Sequence, residues 1–230
     1  MQAVVVQFPG SNADFDAFYT LSRVLGVPTR YVFHKESSLP PDTDLVVLPG
    51  GFSYGDYLRC GAIARFSHIM PAVMAHAARG GLVLGICNGF QILTETGLLP
   101  GALTRNAHLR FECRDVSLRV DADGPFTQGL RGETLRLPIA HGEGRYQADA
   151  ETLDALERDG LVALRYLPSP DGALPGNPNG SLRDIAGIYG GPKRNVLGLM
   201  PHPERASEAA LGSADGARLF RAAMRAVVSA

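Results

Sequence analysis

No apolar run in this sequence is long enough to cross a bilayer. AVVVQF and LVLGI fall far short of the roughly 20 residues that a spanning helix needs. The amino terminus enters a strand-like segment directly, without a charged region and a separate apolar one, so no secretory leader is expected and the chain is read as cytoplasmic. Cysteine is scarce. Cys60, Cys87 and Cys113 form no CxxC and no even set, which argues against both a disulfide framework and a zinc knuckle. Neither sign of charge is in excess: 22 Lys and Arg stand against 23 Asp and Glu, and the basic residues are scattered. An electrostatically driven nucleic-acid or membrane-surface partner is therefore not expected. There is no GxxxxGK[ST] loop and no kinase-like glycine loop, so nothing here is expected to bind ATP. His34, His68, His76 and His108 show no ligand spacing, and no metal site is expected. Internal repeats and low-complexity tracts are missing too.

What is present is an ordinary globular composition, 45% hydrophobic and 20% charged over 230 residues, enough to bury a substantial core in one domain spanning 1–230. The first half alternates strands and helices. Ala3 to Phe8, Asp44 to Leu48 and Leu82 to Ile86 read as buried strands, with a short one at Tyr31–Phe33. Between them, Asn12 to Leu25, about 62–78 (with Pro71 as a kink or break) and Asn88 to Thr96 read as helices. This pattern predicts an α/β fold: a mostly parallel open sheet flanked by helices, with ligands beyond the carboxyl ends of its strands. The second half is β-rich from about 103 to 166, and 167–181 reads as a long loop dense in Pro, Gly and Asn. Ile185–Ile188 and Val196–Met200 resume strand character, and an amphipathic helix closes the chain from Asp215 to Val227.

Two short motifs carry the chemistry. Gly85-x-Cys87-x-Gly89 sits at a strand-to-helix junction, the layout of a nucleophile elbow. The helix that follows aims free N–H groups and its partial positive charge at the sulfur, which favours thiolate. Taken alone, Cys87 reads more readily as an inert core residue at a strand end, and the catalytic reading needs a base beside it. His202, in MPHPE after a later strand, is the best-placed base. Met200 and His202 each precede proline and are pushed towards extended backbone, so Glu204 is expected to reach one ring nitrogen and leave the other for a thiol. The alternative is a solvent-exposed His and Glu in a Pro-rich turn. The Gly51 and Asn88 N–H groups are the natural pair for an oxyanion hole. Cys60 is expected to serve packing or an interface, and Cys113 to be plain core. His141 is left open between lining a pocket and a structural role.

GICNGFQ, MPHPE and LPGGFSYGDYLRCGAIAR together resemble the class I (triad) glutamine amidotransferases. Within them, the chain is similar to glutaminase subunits of phosphoribosylformylglycinamidine synthase, and the similarity runs on through RNAHLRFECR, PIAHGEGRY and NPNGSLRDIAGI. The resemblance implies a flavodoxin-like sheet and a triad of Cys87, His202 and Glu204. It also implies that Gln91, Asn106 and Phe111 hold substrate glutamine. The implied reaction is hydrolysis of glutamine, with the ammonia delivered to a separate synthetase subunit and a small bridging subunit joining the two. ATP and magnesium are expected on the synthetase, and no cofactor on this chain. Rival readings are another class I amidotransferase subunit, a stand-alone Cys-elbow hydrolase, and a non-catalytic docking subunit.

Overall fold

The run AVVVQ forms β1 (Ala3–Gln7), whose four apolar residues are buried because neighbours cover both its edges and both its faces. β-Branched side chains suit such a site, since they lose little rotamer freedom on a pleated, packed surface. The molecule is a computed structural model that describes residues 1–169, 172 and 176–228. β1 leads into α1 (Asp14–Tyr19), which continues as a π-type turn over Thr20–Val24. There follow β2 (Thr29–Phe33), β3 (Leu45–Leu48), α2 (Met70–Ala78), β4 (Leu82–Ile86) and α3 (Asn88–Glu95). The expected helix over 62–78 is two pieces, a 3₁₀ turn at Ala64–Phe66 and then α2. Pro71 lies in the first turn of α2, where its missing N–H has no intrahelical partner to lose, so it starts a helix and does not kink one.

The second half supplies β5 (Ala102–Thr104), β6 (Glu112–Val120), β7 (Thr134–His141), β8 (Arg145–Gln147), α4 (Ala150–Arg158), β9 (Val162–Leu167), β10 (Ile185–Gly190), β11 (Val196–Leu199) and α5 (Asp215–Val228). Two expectations are corrected here. The β-rich stretch contains a helix, α4, started by Asp149, whose carboxylate accepts from the Thr152 N–H at 2.7 Å. Cys113 is exposed rather than core, because it sits on the outward face of β6. Of the expected loop at 167–181, positions 170, 171 and 173–175 lie outside the described residues, and the described remainder beyond β9 forms no helix or strand.

Nine strands form one sheet in the order β2-β1-β3-β4-β11-β10-β9-β6-β7, and β5 pairs with β8 in a small second sheet. β2, β1, β3, β4 and β11 are parallel, and each later pairing is antiparallel. The two halves of the sequence therefore share one sheet and one hydrophobic core. β7 is last in the order, yet its Pro138 carbonyl accepts from the His202 N–H beyond β11 at 2.8 Å. The antiparallel half thus curls over the carboxyl ends of β4 and β11. No helix among the described residues is long and apolar enough to cross a membrane.

Candidate active site

Cys87 stands between β4 and α3 with φ +51° and ψ −103°, a strained backbone for a residue with a Cβ. What forces the turn is the approach of α3 to the sheet. A Cβ at Gly89 would lie 2.0 Å from the Leu48 carbonyl oxygen, and one at Gly85 would lie 2.7 Å from that of Gly89. Only glycine at both positions lets the helix start this close to β3. The Cys87 N–H is tied to Leu199 O of β11 at 2.8 Å, and its sulfur faces Ala140 O of β7 at 3.8 Å. The elbow expected from GxCxG is present.

His202 and Glu204 meet beside it. His202 has extended backbone (φ −105°, ψ 87°), but Glu204 belongs to a 3₁₀ turn, Pro203–Arg205, so their meeting owes nothing to strand alternation. Glu204 Oε1 lies 2.5 Å from His202 Nδ1, and both residues are buried. The Glu204 backbone is pinned in turn: Thr20 Oγ donates to its carbonyl at 3.0 Å, and Ser207 does so at 3.3 Å. Burial opposes charge on the His202 ring, but Glu204 and then the Cys87 sulfur outweigh it and lift the pKa to about 10. The ring is thus held as imidazolium between a carboxylate and the sulfur. Its Nε2 is buried without another partner, open to a reacting group.

Of the pair expected to form an oxyanion hole, Gly51 is on the cavity that holds Cys87, and Asn88 follows Cys87 at the start of α3. Gly51 forms an isolated bridge with Ser11, whose hydrogen bonds are made by the Asn12 and Phe52 N–H groups. Among the described residues the Gly51 N–H has no acceptor, and Gly51 lines the cavity beside Cys87. The Asn88 N–H is in the first turn of α3, one of the donors that a helix leaves unpaired.

The cavity itself measures about 200 Å³, below the roughly 300 Å³ at which drug-sized ligands begin, and so suits a small molecule. Cys87, His202, Gln91, Phe111 and His141 all line it. Phe111 is a half-exposed lid of hydrophobic surface at 55%. Gln91 is a wall strut as much as a ligand: its Oε1 accepts from Asn88 Nδ2 at 2.9 Å and its Nε2 donates to Glu143 O at 2.6 Å. Asn106 is a correction. It is fully buried behind the wall and does not line the cavity. Its Nδ2 donates to Arg110 O at 2.8 Å and His141 O at 2.9 Å, and its Oδ1 accepts from His141 Nδ1 and the Gly144 N–H, both at 3.1 Å. That bond gives His141 a proton on Nδ1 and leaves Nε2 as an acceptor, buried and unpartnered at the cavity wall. Burial, then the neighbouring His202 charge, lower the His141 pKa to about 4 and keep the ring neutral.

Sequence reasoning missed Asn12, Phe52, Asp56, Glu143 and Arg205, which also line the cavity. Asp56 follows the GGF turn on a loop at Tyr54–Asp56 that takes positive φ three times running (+55°, +71° and +52°). The loop is fastened by Tyr54, whose hydroxyl bonds His34 Nδ1 at 2.6 Å and Ser67 Oγ at 2.9 Å. Burial raises the Asp56 pKa against opposing hydrogen bonds from Cys60 and Asn88, and Glu143 pushes the same way. Burial and these two carboxylates push the Cys60 thiol up, so it stays protonated and inert. Among the described residues no group of His, Cys, Asp and Glu is placed to hold a metal ion.

Residues 1–223 match the CobB/CobQ-like glutamine amidotransferase domain. The chain is 58% identical over 222 residues to "Phosphoribosylformylglycinamidine synthase subunit PurQ" of Synechococcus elongatus, covering 96% of each. It is 55% identical over 224 residues to the protein of that name from Bradyrhizobium diazoefficiens, covering 96% of this chain and 95% of the other. Among solved structures, it is similar to a chain of "PurLQS from Thermotoga maritima", with a TM-score of 0.85, 43% identity and 98% of each chain covered.

Proposed function

Since this chain belongs to the CobB/CobQ-like glutamine amidotransferase family, we propose that it is the glutaminase subunit of a phosphoribosylformylglycinamidine synthase, working as one amidotransferase domain. The observation that carries the reading is the His202 ring, fixed by Glu204 at 2.5 Å and facing the same small cavity as the sulfur of the strained Cys87 elbow. The Cys87 thiolate attacks the carboxamide carbon of glutamine, and the N–H groups of Gly51 and Asn88 hold the oxyanion. His202, already charged, gives its proton to the departing nitrogen, so ammonia leaves and a glutamyl thioester remains. The now neutral imidazole takes a proton from water as that water attacks the thioester, releasing glutamate and the thiolate. Glu204 keeps the ring in register and stabilises its charge in both halves of the cycle.

The relatives' name, and the Thermotoga assembly that bears the combined name PurLQS, support a synthetase partner. In this reading ammonia passes to that subunit, which uses ATP and magnesium to convert formylglycinamide ribonucleotide to formylglycinamidine ribonucleotide. A small third subunit bridges the two, and this chain carries no cofactor of its own. The assembly works in the cytoplasm. In the assembled complex, Cys87→Ala should abolish synthesis from glutamine and leave synthesis from added ammonia intact. Loss of both activities, or retention of both, would refute the proposed division of labour.

A further inference from the structure

The carboxylate of Glu204 has few holds of its own. Oε1 meets His202 Nδ1 at 2.5 Å, while Oε2 is buried and has no hydrogen-bond partner among the described residues. A carboxylate held by one contact takes its position from its backbone, here the 3₁₀ turn Pro203–Arg205. Two elements clamp that turn. On one side the start of α5 comes so close to the Pro203 carbonyl that only glycine fits at 216, and the Gly216 N–H donates to Ala206 O at 2.8 Å. On the other side stands α1.

Helix α1 meets the turn through two residues one helical turn apart. Asp16 accepts from Arg205 Nε at 2.9 Å, and Thr20 Oγ donates to the Glu204 carbonyl at 3.0 Å. The Thr20 N–H bonds back to Asp16 O, so the helix itself fixes the spacing of these two grips. The Asp16–Arg205 pair is about one-third exposed on each side and is the weaker of them. A helical threonine often returns its hydroxyl to the carbonyl four residues back. Thr20, fully buried, directs it instead to a residue 184 positions away. Ser207 joins it: the two hydroxyl oxygens are 3.0 Å apart, and both donate to the one carbonyl. Immediately after Thr20 the helix widens into its π turn, with the Leu25 N–H on Thr20 O at 3.0 Å, and such widenings recur at functional sites.

We propose that Thr20 and Ser207 are positioning residues for the triad, their hydroxyls holding the Glu204 backbone where its carboxylate meets His202 Nδ1. Neither residue lines the cavity, so their loss reaches the reaction only through Glu204. The inference rests on the glutaminase reading for its effect on turnover, and on the fold alone for its effect on the His202 ring. When the turn slackens, the contact between Glu204 and the ring loosens, and Glu204 is what chiefly sustains the ring's charge against burial. Cys87 and His141, the ring's other neighbours, are left in place, and no charge is removed.

¹⁵N NMR of the histidine rings in the isolated full chain reads the His202 titration without substrate. The wild-type ring should titrate at about 10. Thr20→Val keeps the shape, removes the hydroxyl and should lower that value by about one pH unit; adding Ser207→Ala should lower it further. Thr20→Ser keeps the hydroxyl and should match wild type. In the complex reconstituted with its synthetase, Thr20→Val should cut kcat for ammonia release from glutamine about tenfold with KM little changed. A double variant with the wild-type titration, a Thr20→Ser as impaired as Thr20→Val, or a raised KM at constant kcat overturns the positioning role. If Thr20→Val fails to fold, Ser207→Ala alone decides, since an unchanged titration there overturns the role as well. Wild-type complex that releases no ammonia from glutamine overturns the glutaminase reading, a separate outcome that leaves the NMR result standing.

Discussion

Replacing Asn106 with alanine separates two roles that the sequence alone merges. If Asn106 gripped the substrate, its loss would weaken glutamine binding and leave the fold alone. The structure assigns it four hydrogen bonds inside the wall, to Arg110 O, His141 O, His141 Nδ1 and the Gly144 N–H. Arg110 is exposed, so water can serve its carbonyl in the variant. The other three partners are buried and are left without one. At about 1 kcal/mol each, Asn106→Ala should cost about 3 kcal/mol of folding free energy. In a chain of 230 residues that is a drop in Tm of about 6–12 °C. Urea unfolding of the isolated chain followed by circular dichroism measures the first quantity, and a thermal scan the second. The fault should also reach His141, which loses the bond that fixes its tautomer. A variant of unchanged stability whose only fault is a raised KM for glutamine would refute the reasoning and return Asn106 to the substrate pocket.

Three further outcomes follow from the geometry. Gly50→Ala would set a Cβ 2.7 Å from His202 Cε1, so the ring must move; glutamine-dependent turnover should fall by about 100-fold while the complex still assembles and uses ammonia. Glu204→Gln keeps the shape but removes the charge that sustains the imidazolium, and ammonia release should drop by about 10²- to 10⁴-fold. His141 has its pKa lowered to about 4 in the fold, against 6.5 for the ordinary ring, so between those values the unfolded chain binds a proton that the folded one refuses. Stability should therefore fall as pH drops from 6.5 towards 4, by about 3 kcal/mol from this residue, and denaturant titrations at pH 7 and pH 4.5 should show a smaller loss for His141→Gln than for wild type.

The parallel half of the sheet was readable because each strand is short, apolar and bounded by Gly or Pro, as in DLVVLPGG and GLVLGIC. The elbow at Cys87 was readable for the same reason: glycines at 85 and 89 announce a backbone approach that the Leu48 carbonyl confirms. α4 was hidden because AETLDALER buries little beyond Leu153 and Leu156 among charged residues, although Asp149 with Thr152 after it was an available capping signal. The pairing of Glu204 with His202 was expected for the wrong local reason, since a 3₁₀ turn and not strand alternation brings them together. Asp56 and Glu143 carried no joint signal at all. They stand far apart in sequence and share a cavity only because the curl of β6 and β7 brings the second loop over the first.

β4 and β11 are hydrogen-bonded neighbours in register, with Ile86 opposite Leu199, and the sulfur and the imidazole hang from the ends of these two strands. A twist or breathing motion of the scaffold carries both groups in the same direction, so the gap between sulfur and imidazole resists deformations that shift the rest of the rim. The Gly51 N–H is a more distant relation, delivered by β3 on the other side of β4 and strapped by the loop after β1. Pressure on the loops after β1 and β3 can thus move the Gly51 N–H without changing how the sulfur and the imidazole stand to each other.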